Sequence, residues 1–313
     1  MPAARPDPAA AEVDELALGV RLSKAFGRLE RSADELYELS GTSGRTHPFV
    51  FGWYYAARDA QRKGHPSHDV RDPIEIVKMV RRSRKRAHST RRWLDFEIDV
   101  SDESAGLERT LESLADSLGQ PPATVELVPL DARQRRSLAA SAKLVREVWP
   151  DMASEVDATV RRLALVRAKG IVGFSHLETH GAIFINVERL DDPDVFAEEL
   201  IHEASHVRLN ALAAMTPVIR DREDQRRYIT PLRVDPRPLI GAFHQMFVLA
   251  RLFEFALRAC ALDNAPSRRE RVEKHEADLR AAFAVMSGDT PLTDAGRRVL
   301  REAESILAQD VSG

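Results

Sequence analysis

Apolar residues recur along the chain at helical spacing far more often than at strand spacing. From Val13 to Leu39 the positions Leu16, Leu18, Val20, Leu22, Phe26, Leu29, Leu36 and Leu39 fall mostly at spacings of three and four, which predicts one or two amphipathic helices. Residues 49–63 and 73–87 continue in the same period. WLDFEIDV at 93–100 alternates as a strand does; a helix over 105–118 follows, then the turn signal GQPP and a second strand over 123–129. A helical region runs from 132 to 169 with a break at Trp149-Pro150. The segment 171–189 holds two runs of β-branched and aromatic residues around a polar connection ending in Gly181, which predicts a hairpin. Asp191-Asp192-Pro193 then offers N-cap candidates and a first-turn proline, opening a helix to about Leu212. Pro231, Pro236 and Pro238 punctuate a loop. Helices over 239–261, 269–286 and 293–308 close the chain, with a linker at 262–268. The expected fold class is α+β, predominantly helical, with a small strand hairpin before the helix that opens at Pro193. The expected organisation is a flexible tail over 1–12, a helical amino-terminal region over 13–100, and a domain over 101–313.

Composition narrows the partners. The 313 residues include 46 Lys+Arg and 49 Asp+Glu, a net charge of −3, so no chain-wide positive surplus exists to hold nucleic acid. With 43% hydrophobic and 30% charged residues the chain is globular and long enough for a substantial core. The single cysteine, Cys260, can form no internal disulfide, and residues 1–20 lack the basic and apolar regions of a signal peptide, so a cytoplasmic protein is expected. The longest apolar stretch, 243–261, is interrupted by His244, Gln245, Arg251, Glu254 and Arg258, which argues against a membrane span. The basic run RRSRKRAHSTRR at 81–92 is either a solvated helical face or a surface for an acidic peptide segment.

The helix after Pro193 carries HExxH: His202, Glu203 and His206. Histidines four apart project from one helical face, so both imidazoles can reach a single metal ion in adjacent coordination positions. A catalytic ion needs a third ligand. The HExxHxxGxxH arrangement is excluded because Leu209 and Leu212 stand where Gly and His are required. Glu254 on the helix over 239–261 offers one route, and His244 on the same helix is the stronger donor. His176 and His180, in the hairpin, are candidates for lining a substrate, with ordinary turn placement the plainer expectation.

Three imidazoles leave the ion's +2 charge uncompensated, which favours an anionic bidentate co-substrate; octahedral iron(II) leaves positions for one and for dioxygen, whereas tetrahedral zinc leaves a single position for water. Composition does not choose between them. Arg233, Arg237 and Arg251 surround His244 in sequence, Arg237 stiffly held between Pro236 and Pro238, and a guanidinium can clamp a distal carboxylate bidentately.

AEELIHEASHVRLNAL at 197–212 together with YITPLRVDPRPLIGAFHQMFVLARLFEF at 228–255 resembles the HExxH-type peptide β-hydroxylases, iron(II)- and 2-oxoglutarate-dependent enzymes that modify ribosomally made peptides. WPDM at 149–152 and GFSHLETHGAIFIN at 173–186 look like that family too, so the resemblance covers residues 130–260. It implies a zincin-like core, iron ligation by His202, His206 and His244, and binding of the 2-oxoglutarate carboxylate by Arg237, with Arg233 and Arg251 as further candidates. It also implies oxygen-dependent hydroxylation of a side chain in a precursor peptide, coupled to decarboxylation of 2-oxoglutarate to succinate. Glu203, the general base of a peptidase, would then orient a ligand or bound water. Because Glu203 is retained, a zinc-dependent peptidase is the alternative.

Overall fold

A computed structural model describes residues 4–26, 46–63, 73–102, 104, 106–121, 124–220, 226–231, 233–288 and 290–308. The second half of the predicted helical region 13–39 lies outside the described residues. Within them the chain is mostly helical with small sheets, as the periodicity predicts. Helices α1 (Pro8–Phe26), α2 (Pro48–Arg62) and α3 (Pro73–Leu94) lead to strand β1 (Asp99–Val100). Then come α4 (Glu108–Ser117), β2 (Glu126–Leu127), α5 (Ala132–Val148), α6 (Pro150–Thr159) and β3 (Arg162–Arg167). Strands β4 (Gly173–Ser175) and β5 (Ala182–Asn186) precede the long helix α7 (Pro193–Met215). A ribbon of β6 (Tyr228–Thr230) and β7 (Arg233–Arg237) connects to α8 (Leu239–Asp263), α9 (Pro266–Met286) and α10 (Asp294–Leu307).

Three sequence expectations are revised. Residues 162–167 fall inside the predicted helical region, yet they form β3, the central strand, parallel to both β1 and β5. RLALVR is buried on both faces except at its last residue, so it shows no alternation, and a short apolar run of this kind has no period to separate strand from helix. Conversely, WLDFEIDV is strand only at Asp99–Val100: α3 continues to Leu94 and stops at Asp95, which adopts φ 60°. Likewise only Glu126–Leu127 of the predicted strand 123–129 is paired, antiparallel to β3. The hairpin is formed as predicted, with Gly173 opposite Ile185, Phe174 opposite Phe184 and Ser175 opposite Ile183. Gly181 turns at φ 87°, a conformation that a Cβ disfavours. The sheet order is β1-β3-β5-β4, which leaves β4 at its edge, and β4 contacts α7.

Residues 4–12, expected as a loose tail, are ordered. Helix α1 starts at Pro8, Ala4 is fully buried, and the Ala4 carbonyl accepts from Arg251 Nε at 2.8 Å. Leu94, Phe96 and Ile98 share one core with Val145, Leu163, Phe196 and Val207. Helix α8 is long and apolar enough to cross a bilayer by length and composition, but it is buried inside the fold between α7 and α9.

Candidate metal centre

The centre is built on α7. The Asp192 side chain accepts from the backbone N–H groups of Asp194 and Val195 and Pro193 occupies the first turn, so the helix starts where the capping signal lies. Phe196, Leu200, Ile201, Ala204 and Val207 pack into the core and fix its rotation. Burial of each large apolar side chain contributes about 1.5–3 kcal/mol at most. The opposite stripe, His202, His206 and Asn210, is half-buried and faces the open side. Helix α8 packs against α7 and brings His244 to this stripe.

His202 Nε2 lies 3.3 Å from His206 Nε2, and His206 Nδ1 lies 3.1 Å from His244 Nδ1. The ring centroids are 5.0 Å and 5.3 Å apart, the second pair stacked with an interplanar angle of 23°. The three predicted histidines therefore meet, but as a chain through both nitrogens of His206 and not around one point. Among the described residues no group of three or more His, Cys, Asp or Glu side chains is arranged to hold a metal ion as it stands. Burial pushes the His244 pKa down to about 4, so this imidazole is neutral at pH 7, the form that donates a lone pair to a metal.

Glu203 lies beside His202, against β4. It is buried, with Oε1 4.0 Å from His202 Nε2. It fits because β4 carries no side chain above it: a Cβ on Gly173 would stand 2.6 Å from Glu203 Oε1. One turn before His202, burial raises the Glu199 carboxyl to about 7, with Arg189 at 3.5 Å opposing the shift.

The arginines separate. Arg251 is fully buried, its guanidinium taken by Glu155 at 2.5 and 3.2 Å and its face over the Phe247 ring, so it is not brought to the histidines. Glu254 is likewise engaged elsewhere, by Arg258 at 2.8 Å and Arg5 at 3.5 Å. Arg237 ends β7, and its side chain runs over Gly241, where an added Cβ would come within 3.3 Å of Arg237 Cβ. Gly241 lies three residues before His244, so Arg237 crosses the face of α8 that presents that histidine. Arg233 pairs with Thr230 in the ribbon, and its side chain lies outside the described residues.

The hairpin histidines have structural partners. His176 caps a short 3-10 turn, Leu177–Thr179, through Nδ1 and stacks on Phe174, while buried His180 bonds Glu15 through Nε2 at 2.8 Å. Sequence reasoning missed Gly173, Gly241 and Asn210. Only Gly173 carried a usable signal: a glycine inside a strand marks a close approach of another group. The chain matches no protein-family model and no curated protein sequence.

Proposed function

We propose that the protein is an iron(II)- and 2-oxoglutarate-dependent hydroxylase of a side chain in a ribosomally made peptide, built on a zincin-like core. The observation that carries this reading is the gathering of three imidazoles while Glu254, the carboxylate that would complete a peptidase set, is held by Arg258 and Arg5. Ligand nitrogens about 2.1 Å from one ion stand roughly 3.0–3.4 Å apart in octahedral or tetrahedral geometry, and the His202–His206 separation of 3.3 Å suits adjacent positions. His244, neutral and in contact with His206, is the donor at hand to complete the set. An all-imidazole set carries no negative charge, so it favours an anionic chelating co-substrate. Arg237 on the His244 face is the cation to receive that co-substrate's far carboxylate.

Iron(II) bound there would supply oxygen activation. The net change is a C–H bond, dioxygen and 2-oxoglutarate converted to C–OH, succinate and carbon dioxide. The chain's own groups position the reactants: the histidines hold, Arg237 orients, and buried Glu203 fixes the His202 side of the site from beneath β4. An extended peptide suits the neighbourhood, because no strand among the described residues pairs with the outer edge of β4. One observation favours zinc peptidase chemistry instead: Glu203 Oε1 stands 4.0 Å from His202 Nε2, within reach of a water on a metal at that nitrogen.

Anaerobically purified protein given iron(II), 2-oxoglutarate, oxygen and a candidate precursor peptide is expected to add one oxygen atom to the peptide and release succinate in step. Cleavage of the backbone under argon with zinc would overturn the hydroxylase reading in favour of the peptidase. His244→Ala is expected to abolish iron binding, whereas Glu254→Ala leaves metal occupancy intact. Arg237→Ala is expected to raise the apparent constant for 2-oxoglutarate roughly 30- to 150-fold, the loss of about 2–3 kcal/mol of charge-assisted hydrogen bonding.

A further inference from the structure

Beyond His244 the stripe on α7 continues into a chamber of about 460 Å³. Ala213, Pro217, Ile219 and Leu239 line it, together with His244 and the part-exposed Leu177 and Ile240. Leu177 and Ile240 are 42% and 40% exposed, apolar side chains turned partly to water. Among the described residues no lining side chain carries a formal charge, and the polar groups are the His244 imidazole and the Asn210 carboxamide. Asn210 stands one helical turn after His206, on the same stripe, half-buried and lining the chamber. A cavity of this size with apolar walls and one or two directed polar groups has the make-up of a ligand pocket.

We infer that this chamber receives an aliphatic or aromatic side chain of the peptide substrate, adjacent to the residue presented to the histidines, and that the Asn210 carboxamide hydrogen-bonds a peptide group beside it. The inference rests on the peptide-substrate reading above. A charged side chain is disfavoured because the walls offer no counter-charge, and desolvating an unpaired charge costs far more than the contact returns. 2-Oxoglutarate is a poor occupant for the same reason. A peptide brings both what the walls accept, an apolar side chain, and what Asn210 can satisfy, a backbone N–H and carbonyl in one unit.

The test uses the full chain and ligand-observed saturation-transfer NMR with three probes: N-acetyl-phenylalanine amide, N-acetyl-leucine amide and N-acetyl-aspartate amide. The first two are expected to bind and the third not. Ile240→Glu, a substitution at a part-exposed lining residue, is expected to weaken the apolar probes at least tenfold, and Ala213→Trp, which fills the chamber, to abolish their signal. His202→Ala is expected to leave that signal unchanged. Equal binding of the aspartate probe, indifference to both chamber variants, or displacement of the apolar probes by 2-oxoglutarate would overturn the inference. A manganese(II) arm separates it from the metal reading: with the metal at the histidines, the probe resonances broaden in the parent protein and not in His202→Ala. Chamber-dependent binding without broadening supports the chamber and counts against the metal centre alone.

Discussion

His206 is touched on both ring nitrogens, and neutral imidazole has one donor and one acceptor nitrogen, so a chain of three neutral rings can be joined by two N–H···N bonds. Three imidazolium rings could not be, because donors would face donors. The contact between Gly173 and Glu203 is equally specific to its residues. Gly173→Ala would place a Cβ 2.6 Å from the Glu203 carboxylate and force it aside. We expect a loss of about 1–3 kcal/mol in chemical denaturation together with weaker metal binding, whereas Ser175→Ala on the same strand leaves both near the parent values. Glu199 predicts a pH dependence. Its pKa is raised from the model-compound 4.5 to about 7 in the folded chain, so the folded state holds the proton more tightly. That contribution is favourable to folding at low pH and is lost as pH rises from about 4.5 to 7. Glu199→Gln should therefore gain up to about 3 kcal/mol at pH 8 and nothing at pH 4, measured as the difference between denaturation curves. An equal gain at both values would assign the effect to packing.

Helices α1, α6, α7 and α8 meet around one buried carboxylate. Glu155 of α6 accepts from Arg251 of α8 at 2.5 and 3.2 Å and from the Asp7 backbone N–H at 3.0 Å, and Arg208 of α7 stands 3.6 Å away and also bonds Asp14 of α1 at 2.7 Å. Glu155→Gln would leave Arg251 and Arg208 as buried cations with their shared counter-charge removed. The expected cost is about 3–5 kcal/mol in urea denaturation. Joint replacement, Glu155→Gln with Arg251→Met, should cost less than the sum of the two single changes, because each removes the other's uncompensated charge. This network also fits the place of α8, apolar enough for a bilayer, as a core helix: Arg251 pairs with Glu155 of α6, and Glu254 with Arg258 of α8 itself and with Arg5.

At the scale of the molecule, the first residues act as a strap. Ala4 N–H donates to Glu302 at 2.5 Å, Ala4 C=O accepts from Arg251, and Arg5 approaches Glu254, so the amino terminus joins α8 to α10. Deleting residues 1–7 should destabilise the whole fold by about 3 kcal/mol, since buried polar atoms on Arg251 and Glu155 lose partners, and it should lower the melting temperature by several degrees. An unchanged melting temperature would mean that the strap is replaceable by water. A strap of this kind is invisible in MPAARPDPAAAE, whose composition lacks the bulk of a core segment. What orders it, besides the buried Ala4 methyl, is the polar groups waiting on helices about 150 to 300 residues away.

The chain's own pattern determined the features that depend on near neighbours. HExxH sets two imidazoles on one face through helical geometry alone, Asp192-Pro193 starts α7 through local capping, and the hairpin and most helices follow from periodicity and turn residues. Tertiary structure alone decided the features that depend on distant partners. RLALVR becomes the central strand because β1 and β5 flank it, not because of any period within it. Arg251 and Glu254, candidates by sequence proximity, are drawn away by Glu155, Arg258 and Arg5, while Arg237 reaches the His244 face over a glycine. Spacing along a helix fixes which side chains share a face, but the charge that each will meet there comes from chain segments that only the packed fold brings near.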